Sequence, residues 1–319
     1  MYNFIEHTSP HIRRRRTAEM CMWHVIIALA PTTLCAFYFF GLPAFETVLV
    51  AVCSCVVFEW AIAQFLMGNP RRESLVAAGL TGLLLALNLP ASMPWWAIIL
   101  GSIVAIGIGK MCFGGLGCNI FNPALVGRVF LLISFPAAMT TWMKPGWMFE
   151  ADASTGATML TALKQGHVPD SSYQYFDLFI GNRGGSLGEV ASLALLLGFA
   201  YLLIVRVISW RIPISILATV IVFDLCLGIQ AGLDVLSGGL LLGAIFMATD
   251  YVTSPMSNRG MIIFGICIGI ITVCIRRWGA YPEGVSFAIL IMNGFTPLIN
   301  RYTRPRRFGY VKPQKTAAA

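Results

Sequence analysis

The chain has 319 residues, of which 57% are hydrophobic and 11% charged, and its formal net charge is +8. The mean hydropathy is +0.77. Soluble domains carry roughly 25% charged residues, so this composition excludes an ordinary soluble domain. It also argues against nucleic-acid binding, because the basic residues cluster beside apolar segments, where they act as signals of membrane topology.

Apolar segments recur along nearly the whole chain, each close to the ~20 residues that cross the hydrocarbon core of a bilayer. They predict a single all-α integral membrane domain over residues 1–319, with about ten transmembrane helices. No cleavable signal peptide is expected, because the first apolar segment follows a basic run and lacks a small-x-small cleavage site. The predicted helices cover residues 20–40, 45–67, 75–89, 95–109, 120–136, 188–205, 212–229, 234–250, 260–275 and 284–300.

The basic residues predict the orientation of these helices. The run Arg13–Arg16 precedes the first helix and places the N-terminus in the cytoplasm by the positive-inside rule. If ten helices alternate from there, sixteen of the 22 Lys and Arg residues face the cytoplasm, five lie outside, and Arg128 falls within the fifth helix. Both termini, including the basic tail 301–319, are then cytoplasmic, and the long connection 137–187 is extracytoplasmic.

An internal repeat divides the chain into two halves. The segment Leu80–Ala86 in the third predicted helix resembles Leu236–Gly243 in the eighth. Because five helices separate them, the halves, about 20–136 and about 188–300, are predicted to be inverted five-helix repeats, an arrangement found in many transport proteins. The alternative is a chance match, since small residues are common in membrane helices.

Acidic residues within the predicted helices are candidates for an ion pathway. Glu59 lies in the second helix and Asp224 in the seventh, the positions that a five-plus-five repeat pairs. A charge in hydrocarbon marks an ion route or a buried pair, although an interfacial or protonated acid is the alternative. Interrupted segments at Asn119–Ala124 and Ala248–Pro255, the second containing Asp250, can expose backbone ligands for ions, but helix caps and turns explain them almost as well.

The sequence predicts neither a metal site nor a catalytic residue. The nine cysteines lie mostly in apolar segments, where Cys behaves as a small hydrophobic residue. Cys112 and Cys118 flank a Gly-rich stretch, but two cysteines fall short of the four thiolates that an iron–sulfur cluster usually needs.

The long connection 137–187 is rich in Trp and Tyr, which favours packing against the membrane interface over direct cofactor contact. Within it, the segment Asp152–Thr158 reads DASTGAT. It resembles the Asp-x-x-Ser/Thr-Gly-Ala-Ser/Thr signature at which a flavin transferase esterifies the phosphate of FMN to the final hydroxyl. The alternative is a polar turn, but such transferases act outside the cytoplasm, on the side where the topology places this loop.

The motif assigns a role to each of its residues. Thr158 is the acceptor hydroxyl, and the small residues Gly156 and Ala157 after Thr155 allow it to enter the active site of the transferase. Asp152 is positioned to assist metal or proton chemistry during the transfer.

Together with this motif, the segments Gly114–Asn119, Phe121–Ala124, Gly185–Glu189 and Ala248–Asp250 resemble the D-subunit family of Rnf complexes, which are ion-translocating ferredoxin:NAD oxidoreductases. A related family is the B subunit of sodium-pumping NADH:quinone reductases, whose N-terminal extension this chain lacks. That family is the first alternative. A channel or transporter built on the same inverted repeat is the second.

The resemblance implies covalent FMN at Thr158 in a complex of the bacterial inner membrane, where electron transfer drives sodium or proton translocation. It also allows a second, non-covalent flavin (riboflavin or FMN) in the bundle, for which the sequence shows no fingerprint. The implied partners are the other membrane and iron–sulfur or flavin subunits, the flavin transferase and the lipid bilayer. Nicotinamide binding belongs to other subunits, because no strand–glycine-turn–helix motif is present.

Gly185 and Ser186 are the remaining candidates for cofactor binding. They open the sixth predicted helix on the same outer side as Thr158, so their amides can face the FMN phosphate. Capping of that helix by Ser186 is an equal alternative.

Overall fold

The structure is a computed structural model, and nearly every described residue outside a turn is helical. The residues it describes are 17–66, 68, 72–143, 155–156, 179, 181, 184–190, 192–228, 231–279, 281 and 283–305.

The first half contains four long helices and two shorter ones. Thr17 caps the first helix, since its side chain accepts a hydrogen bond from the amide of Met20 at 3.2 Å. Gly41, with a φ of 61°, separates the first helix from the second. Asn122 caps the fifth helix, and Pro123 occupies its first position. The helices are α1 (Ala18–Phe40), α2 (Leu42–Leu66), α3 (Arg72–Leu87), α4 (Trp95–Ile103, extended by a π-helical turn at Val104–Ile108), α5 (Pro123–Ser134) and α6 (Pro136–Thr140).

A short antiparallel pairing follows α6, in which β1 (Trp142–Met143) pairs with β2 (Thr155–Gly156). The second half then begins. Its helices are α7 (Ser192–Ile204), α8 (Arg211–Cys226), α9 (Ala231–Leu236), α10 (Leu240–Leu242, extended by a π-helical turn at Gly243–Met247), α11 (Asn258–Trp278) and α12 (Val285–Tyr302).

The helices identify the chain as a helical membrane protein. Within the described part of the chain, four segments are long and apolar enough to cross a bilayer: α1, α2, the stretch Trp95–Phe113 that contains α4, and α11. Their outward surfaces are apolar, as the exposed fractions of 66% at Leu34 and 82% at Phe65 illustrate. Such surfaces are expected where lipid replaces water as the solvent.

Two predicted helices differ from the structure. The segment 234–250 is not continuous, because α9 ends at Leu236 and α10 begins at Leu240. Gly238, with a φ of 72°, breaks it, since only glycine adopts this conformation without a steric penalty. The helix predicted from residue 188 begins at Ser192, because residues 184–190 are held on the end of α3 instead.

Small residues allow the helices to approach closely. A Cβ atom on Gly82 would lie 2.7 Å from the carbonyl oxygen of Ala51, so α3 crosses α2 at backbone contact. A Cβ on Gly127 would lie 2.8 Å from the oxygen of Gly101, and α5 therefore packs equally tightly on α4. The two halves meet where α1 contacts α7 and where α5 contacts α12.

Candidate functional site

The described part of the DASTGAT motif lies beside the end of α6. Thr155 pairs with Met143, and Gly156 with Trp142, in the two-stranded pairing. The hydroxyl of Ser92 donates to the carbonyl of Thr141 at 3.0 Å, which ties this region to the connection between α3 and α4. Asp152, Ala157 and Thr158 lie outside the described residues.

The segment 184–190 packs against both the strand pairing and α3. A Cβ on Gly184 would lie 3.3 Å from the carbonyl oxygen of Met143. The amide of Gly188 donates to the carbonyl of Leu87 at 2.7 Å, and the amide of Leu187 donates to Leu89 at 3.1 Å. The structure thus brings Gly185 and Ser186 to the same end of the bundle as Thr155 and Gly156.

Ser186 uses its donors locally. Its amide and its hydroxyl both donate to the same carboxylate oxygen of Glu189, at 3.3 and 3.2 Å. A Cβ on Gly185 would lie 3.2 Å from that oxygen, so the carboxylate fills the space beside both residues. Both donors of Ser186 are thus used within the segment 184–190, and α7 begins six residues later at Ser192, so Ser186 does not cap that helix.

A buried arginine joins the two halves directly beneath this segment. The guanidinium of Arg128 in α5 donates to the side-chain oxygens of Asn88 and Ser286, both at 2.8 Å, and forms an ion pair with Glu283. Asn88 in turn donates to the carbonyl of Leu84 at 2.6 Å. The sequence predicted that Arg128 lies within a helix, but it did not predict the acidic partner of Arg128. The signal was available, because a charge in the interior of a membrane protein requires a counter-charge.

Glu59 forms a buried acid–base cluster with Lys110 and Ser74, which we name the Glu59 cluster. The ammonium of Lys110, which follows α4, lies 2.6 Å from Oε1 of Glu59 and donates to the carbonyl oxygen of Ser74 at 3.2 Å. The hydroxyl of Ser74 also donates to Oε1 of Glu59. The side chain of Glu59 is 0% exposed, and its Oε2 has no hydrogen-bond partner in the described part of the chain.

Asp224 belongs to a second buried cluster, the Asp224 cluster, formed with Asp234, Arg276 and Arg277. Arg277 lies 3.6 Å from a carboxylate oxygen of each aspartate. Arg276 lies 3.0 Å from Asp234 and donates to the carbonyl of Ser237 at 3.2 Å. Sequence reasoning missed Asp234 and treated both arginines only as topology signals. The hydropathy pattern alone does not show that the ends of α8, α9 and α11 converge.

The two clusters lie at corresponding points in the predicted order of ten helices. In the first, an acid near the end of the second helical segment (Glu59) meets a base at the end of the fourth (Lys110). In the second, an acid near the end of the seventh predicted helix (Asp224) meets a base at the end of the ninth (Arg277). This is the correspondence expected of a five-helix repeat.

A cavity of about 460 Å³ lies between the halves, away from the motif. Its walls are mostly apolar, and its polar groups include Lys110, Asn119, Asn122 and Asp250. The carboxylate of Asp250 accepts hydrogen bonds from Thr253 at 3.3 Å and from the side chain of Asn119. Asp250 therefore lies near Lys110 of the Glu59 cluster.

The same end of the bundle carries two free, exposed cysteines, Cys112 and Cys118. Among the described residues, no group of three or more His, Cys, Asp or Glu side chains is arranged to hold a metal ion.

Comparison with known proteins gives matches over nearly the full length of the chain. It is 46% identical to the D subunit of the Na(+)-translocating ferredoxin:NAD(+) oxidoreductase complex of Acetobacterium woodii, with 99% of each chain covered. It is 43% identical to the D subunit of an ion-translocating oxidoreductase complex of Stutzerimonas stutzeri, covering 92% of this chain and 93% of that one. It is 40% identical to the D subunit of the proton-translocating ferredoxin:NAD(+) oxidoreductase complex of Clostridium ljungdahlii, with 95% of each covered.

The family model described as "NQR2, RnfD, RnfE family" matches residues 5–309. This range includes the flavin motif, both acid–base clusters and the cavity between the halves. The chain belongs to the NQR2, RnfD, RnfE family.

Proposed function

We propose that this chain is the D subunit of an Rnf-type complex, which couples electron transfer between ferredoxin and NAD to ion translocation. The full-length match at 46% identity to the D subunit of such a complex carries this proposal. Its partners are the other Rnf subunits, since this chain has no motif for binding NAD. The relatives' names include both sodium and proton translocation, so the family leaves the ion open.

The proposed topology has ten transmembrane segments in two inverted repeats, in the bacterial inner membrane, with both termini in the cytoplasm. The equivalent placement of the Glu59 cluster and the Asp224 cluster supports the repeat. Because an odd number of helices separates equivalent positions, the Glu59 cluster faces the cytoplasmic side and the Asp224 cluster the outer side. The loop 137–187 is then outside, where a flavin transferase can reach it.

Thr158 is the proposed attachment site of FMN through a phosphoester. It follows Gly156 by two residues in the chain, and Gly156 pairs with Trp142. When bound, the flavin accepts electrons and passes them on. The protein's task is to hold the ring beside its redox partners and to exclude competing reactions.

The test of covalent attachment is co-expression with a flavin transferase, followed by denaturing electrophoresis and measurement of flavin fluorescence in the band. We expect fluorescence in the wild type and none in Thr158→Val, since valine has the shape of threonine but no hydroxyl. Thr161→Val, three residues later in the same loop, is the matched control and should keep its fluorescence. A dark wild-type band, or a fluorescent Thr158→Val band, contradicts the assignment.

The buried acids Glu59, Asp224 and Asp250 are the proposed ion pathway. Oε2 of Glu59 and both carboxylate oxygens of Asp224 accept no hydrogen bond from a described residue, so these are the proposed cation ligands, one set on each side. Asp250 lines the cavity between the halves and lies near the Glu59 cluster.

For the ion pathway, we expect Glu59→Gln and Asp224→Asn to reduce ion uptake into vesicles more than they reduce flavin content. The double variant Glu59→Gln/Lys110→Met distinguishes a loss of ion pumping from the loss of stability expected in Glu59→Gln, because it removes both charges of the pair. This variant should fold and carry flavin but still not pump. Wild-type pumping in both single variants would leave these acids with a structural role only.

The cavity between the halves is the proposed site of the second, non-covalent flavin. Its volume of about 460 Å³ and its apolar walls fit a cofactor site, and such sites span about 300–1,000 Å³. Lys110 supplies a positive charge at the cavity wall, while the side-chain amides of Asn119 and Asn122 already donate to the carbonyls of Phe121 and Met247.

The readout for the second flavin is the amount released by denaturing the purified complex. Thr81→Trp, which fills the cavity from α3, should lower this amount without changing the covalent fluorescence. Thr158→Val should abolish the covalent fluorescence without changing the amount of flavin that is released. Equal release from the Thr81→Trp variant and the wild type would place this flavin elsewhere.

A further inference from the structure

A second groove, of about 640 Å³, lies beside the connection between α7 and α8. Two arginines, Arg206 and Arg211, line it together with Ser209 and Trp210, and none of its lining residues is acidic. Among the described residues, neither guanidinium has an acidic partner within 4 Å. The groove is therefore a site of uncompensated positive charge.

The backbone at Arg206 holds this residue in an unusual conformation. Its φ is 57°, and among the described residues it is the single non-glycine residue with a positive φ. The amide of Arg206 donates to Leu203 at 3.0 Å and that of Val207 to Leu202 at 2.9 Å, which ends α7. Glycine is the usual residue at such a helix end. An arginine here carries a steric penalty, yet its side chain is exposed and without a described hydrogen-bond partner, so the fold does not require its charge.

Arg211 is held in place but not neutralised. Its Nη1 donates to the hydroxyl of Ser209 at 3.2 Å, and its guanidinium carbon lies 5.4 Å from the centre of the Trp210 ring. Both contacts fix the orientation of the guanidinium while leaving its charge available. A pre-oriented arginine is suited to an anion such as a phosphate.

The surroundings of the two arginines are apolar and face outward from the bundle. Ile204 is 81% exposed, Trp210 is 50% exposed and Ile214 is 46% exposed. Trp is typical of the membrane–water interface, and these side chains continue onto the lipid-facing surfaces of α7 and α8. An anion bound at the arginines would therefore have acyl chains, rather than water or protein, along the adjoining surface.

We propose that Arg206 and Arg211 bind the phosphate of an anionic phospholipid, such as phosphatidylglycerol, whose acyl chains lie along α7 and α8. Basic pockets between transmembrane helices on the cytoplasmic side are suited to such headgroups, and the proposed topology assigns this groove to that side. Arg206 and Arg211 belong neither to the flavin motif nor to either acid–base cluster, and they do not line the cavity between the halves, although the groove shares Ile208, Thr249 and Tyr251 with that cavity.

The experiment measures phospholipid binding to the purified chain by native mass spectrometry, with phosphatidylglycerol titrated into the detergent-solubilised protein. Each basic residue near a membrane surface strengthens binding of anionic lipid by about fivefold. We therefore expect Arg206→Gln and Arg211→Gln each to weaken binding about fivefold, and the double variant about 25-fold. Phosphatidylcholine, which has no net charge, should bind the wild type and the double variant alike.

Two further variants keep the test decisive. Arg206→Gly removes the charge and relieves the backbone strain, so it should fold at least as well as the wild type and still lose binding. Arg259→Gln, at an exposed arginine near the start of α11 on the same side, is the matched control and should bind normally. Unchanged binding by the double variant overturns the proposal. So does equally strong competition by inorganic phosphate, which would make the groove a site for the free anion.

Discussion

The buried pair of Glu59 and Lys110 makes a quantitative prediction about stability. Glu59→Gln preserves the size of the side chain but leaves the ammonium of Lys110 buried without its counter-charge at 2.6 Å. Removing one partner of a buried ion pair costs about 3–5 kcal/mol. At ~1.4 kcal/mol for each power of ten, this lowers the ratio of folded to unfolded protein by about two to four powers of ten.

The reverse change is expected to be milder. In Lys110→Met the carboxylate of Glu59 keeps the hydrogen bond from Ser74, so we expect a loss of about 1–3 kcal/mol. Replacing both members of a buried pair is often close to neutral. The double variant Glu59→Gln/Lys110→Met should therefore be more stable than Glu59→Gln alone, by about 2 kcal/mol or more.

Thermal unfolding in detergent, followed with a thiol-reactive fluorogenic dye, measures these differences. Cys55 is 0% exposed and lies one helical turn from Glu59, so its reaction reports the opening of this region. Cys118, which is exposed in the turn between α4 and α5, reacts at once and sets the baseline. If the losses of the two single variants simply add in the double variant, the two side chains do not interact and the reasoning is refuted.

Three further changes test the packing. Gly82→Ala should destabilise the protein by about 1–3 kcal/mol in the same assay, because its Cβ would lie 2.7 Å from a carbonyl oxygen of α2. Gly107→Ala is the control and should be neutral, since no atom lies within 4 Å of its Cβ position. Equal unfolding temperatures for the two variants would refute the contact between α2 and α3. Gly188→Ala should lower covalent flavin fluorescence, since its Cβ would lie 2.9 Å from the carbonyl oxygen of Leu87 and would displace the segment 184–190. Undiminished fluorescence would argue that this segment does not position the DASTGAT motif. Arg128→Lys should cost about 1–3 kcal/mol, because a single ammonium cannot keep all the contacts of the guanidinium with Asn88, Ser286 and Glu283. A wild-type melting curve would count against that network.

Hydropathy predicted the helical segments because it is a local property of the chain. It could not predict the break within residues 234–250, although Gly238 and Gly239 were visible there, because glycine is also common inside membrane helices. The motif at residues 152–158 was likewise readable locally. The position of Gly184 beside the strand pairing was not, because it depends on contacts between distant parts of the chain.

The partners of the buried acids escaped prediction for the same reason. Lys110 is 51 residues from Glu59, and Arg277 is 53 residues from Asp224, so no local pattern links them. Each base was taken as a loop charge, since it lies at the end of an apolar segment. The same residue can mark a helix end and also neutralise an acid once the helices have packed.

This double role bears on the topology itself. Arg276 and Arg277 were two of the five basic residues assigned outside, and they are the main exceptions to the positive-inside rule in the second half. Both are paired with buried aspartates, with exposed fractions of 1% and 17%, so they contribute little free charge to that side. Lys110 is likewise paired on the cytoplasmic side. Once the paired bases are set aside, the described arginines that form no ion pair with a described residue all fall on the side that the proposed topology assigns to the cytoplasm: Arg206, Arg211, Arg259, Arg301 and Arg304.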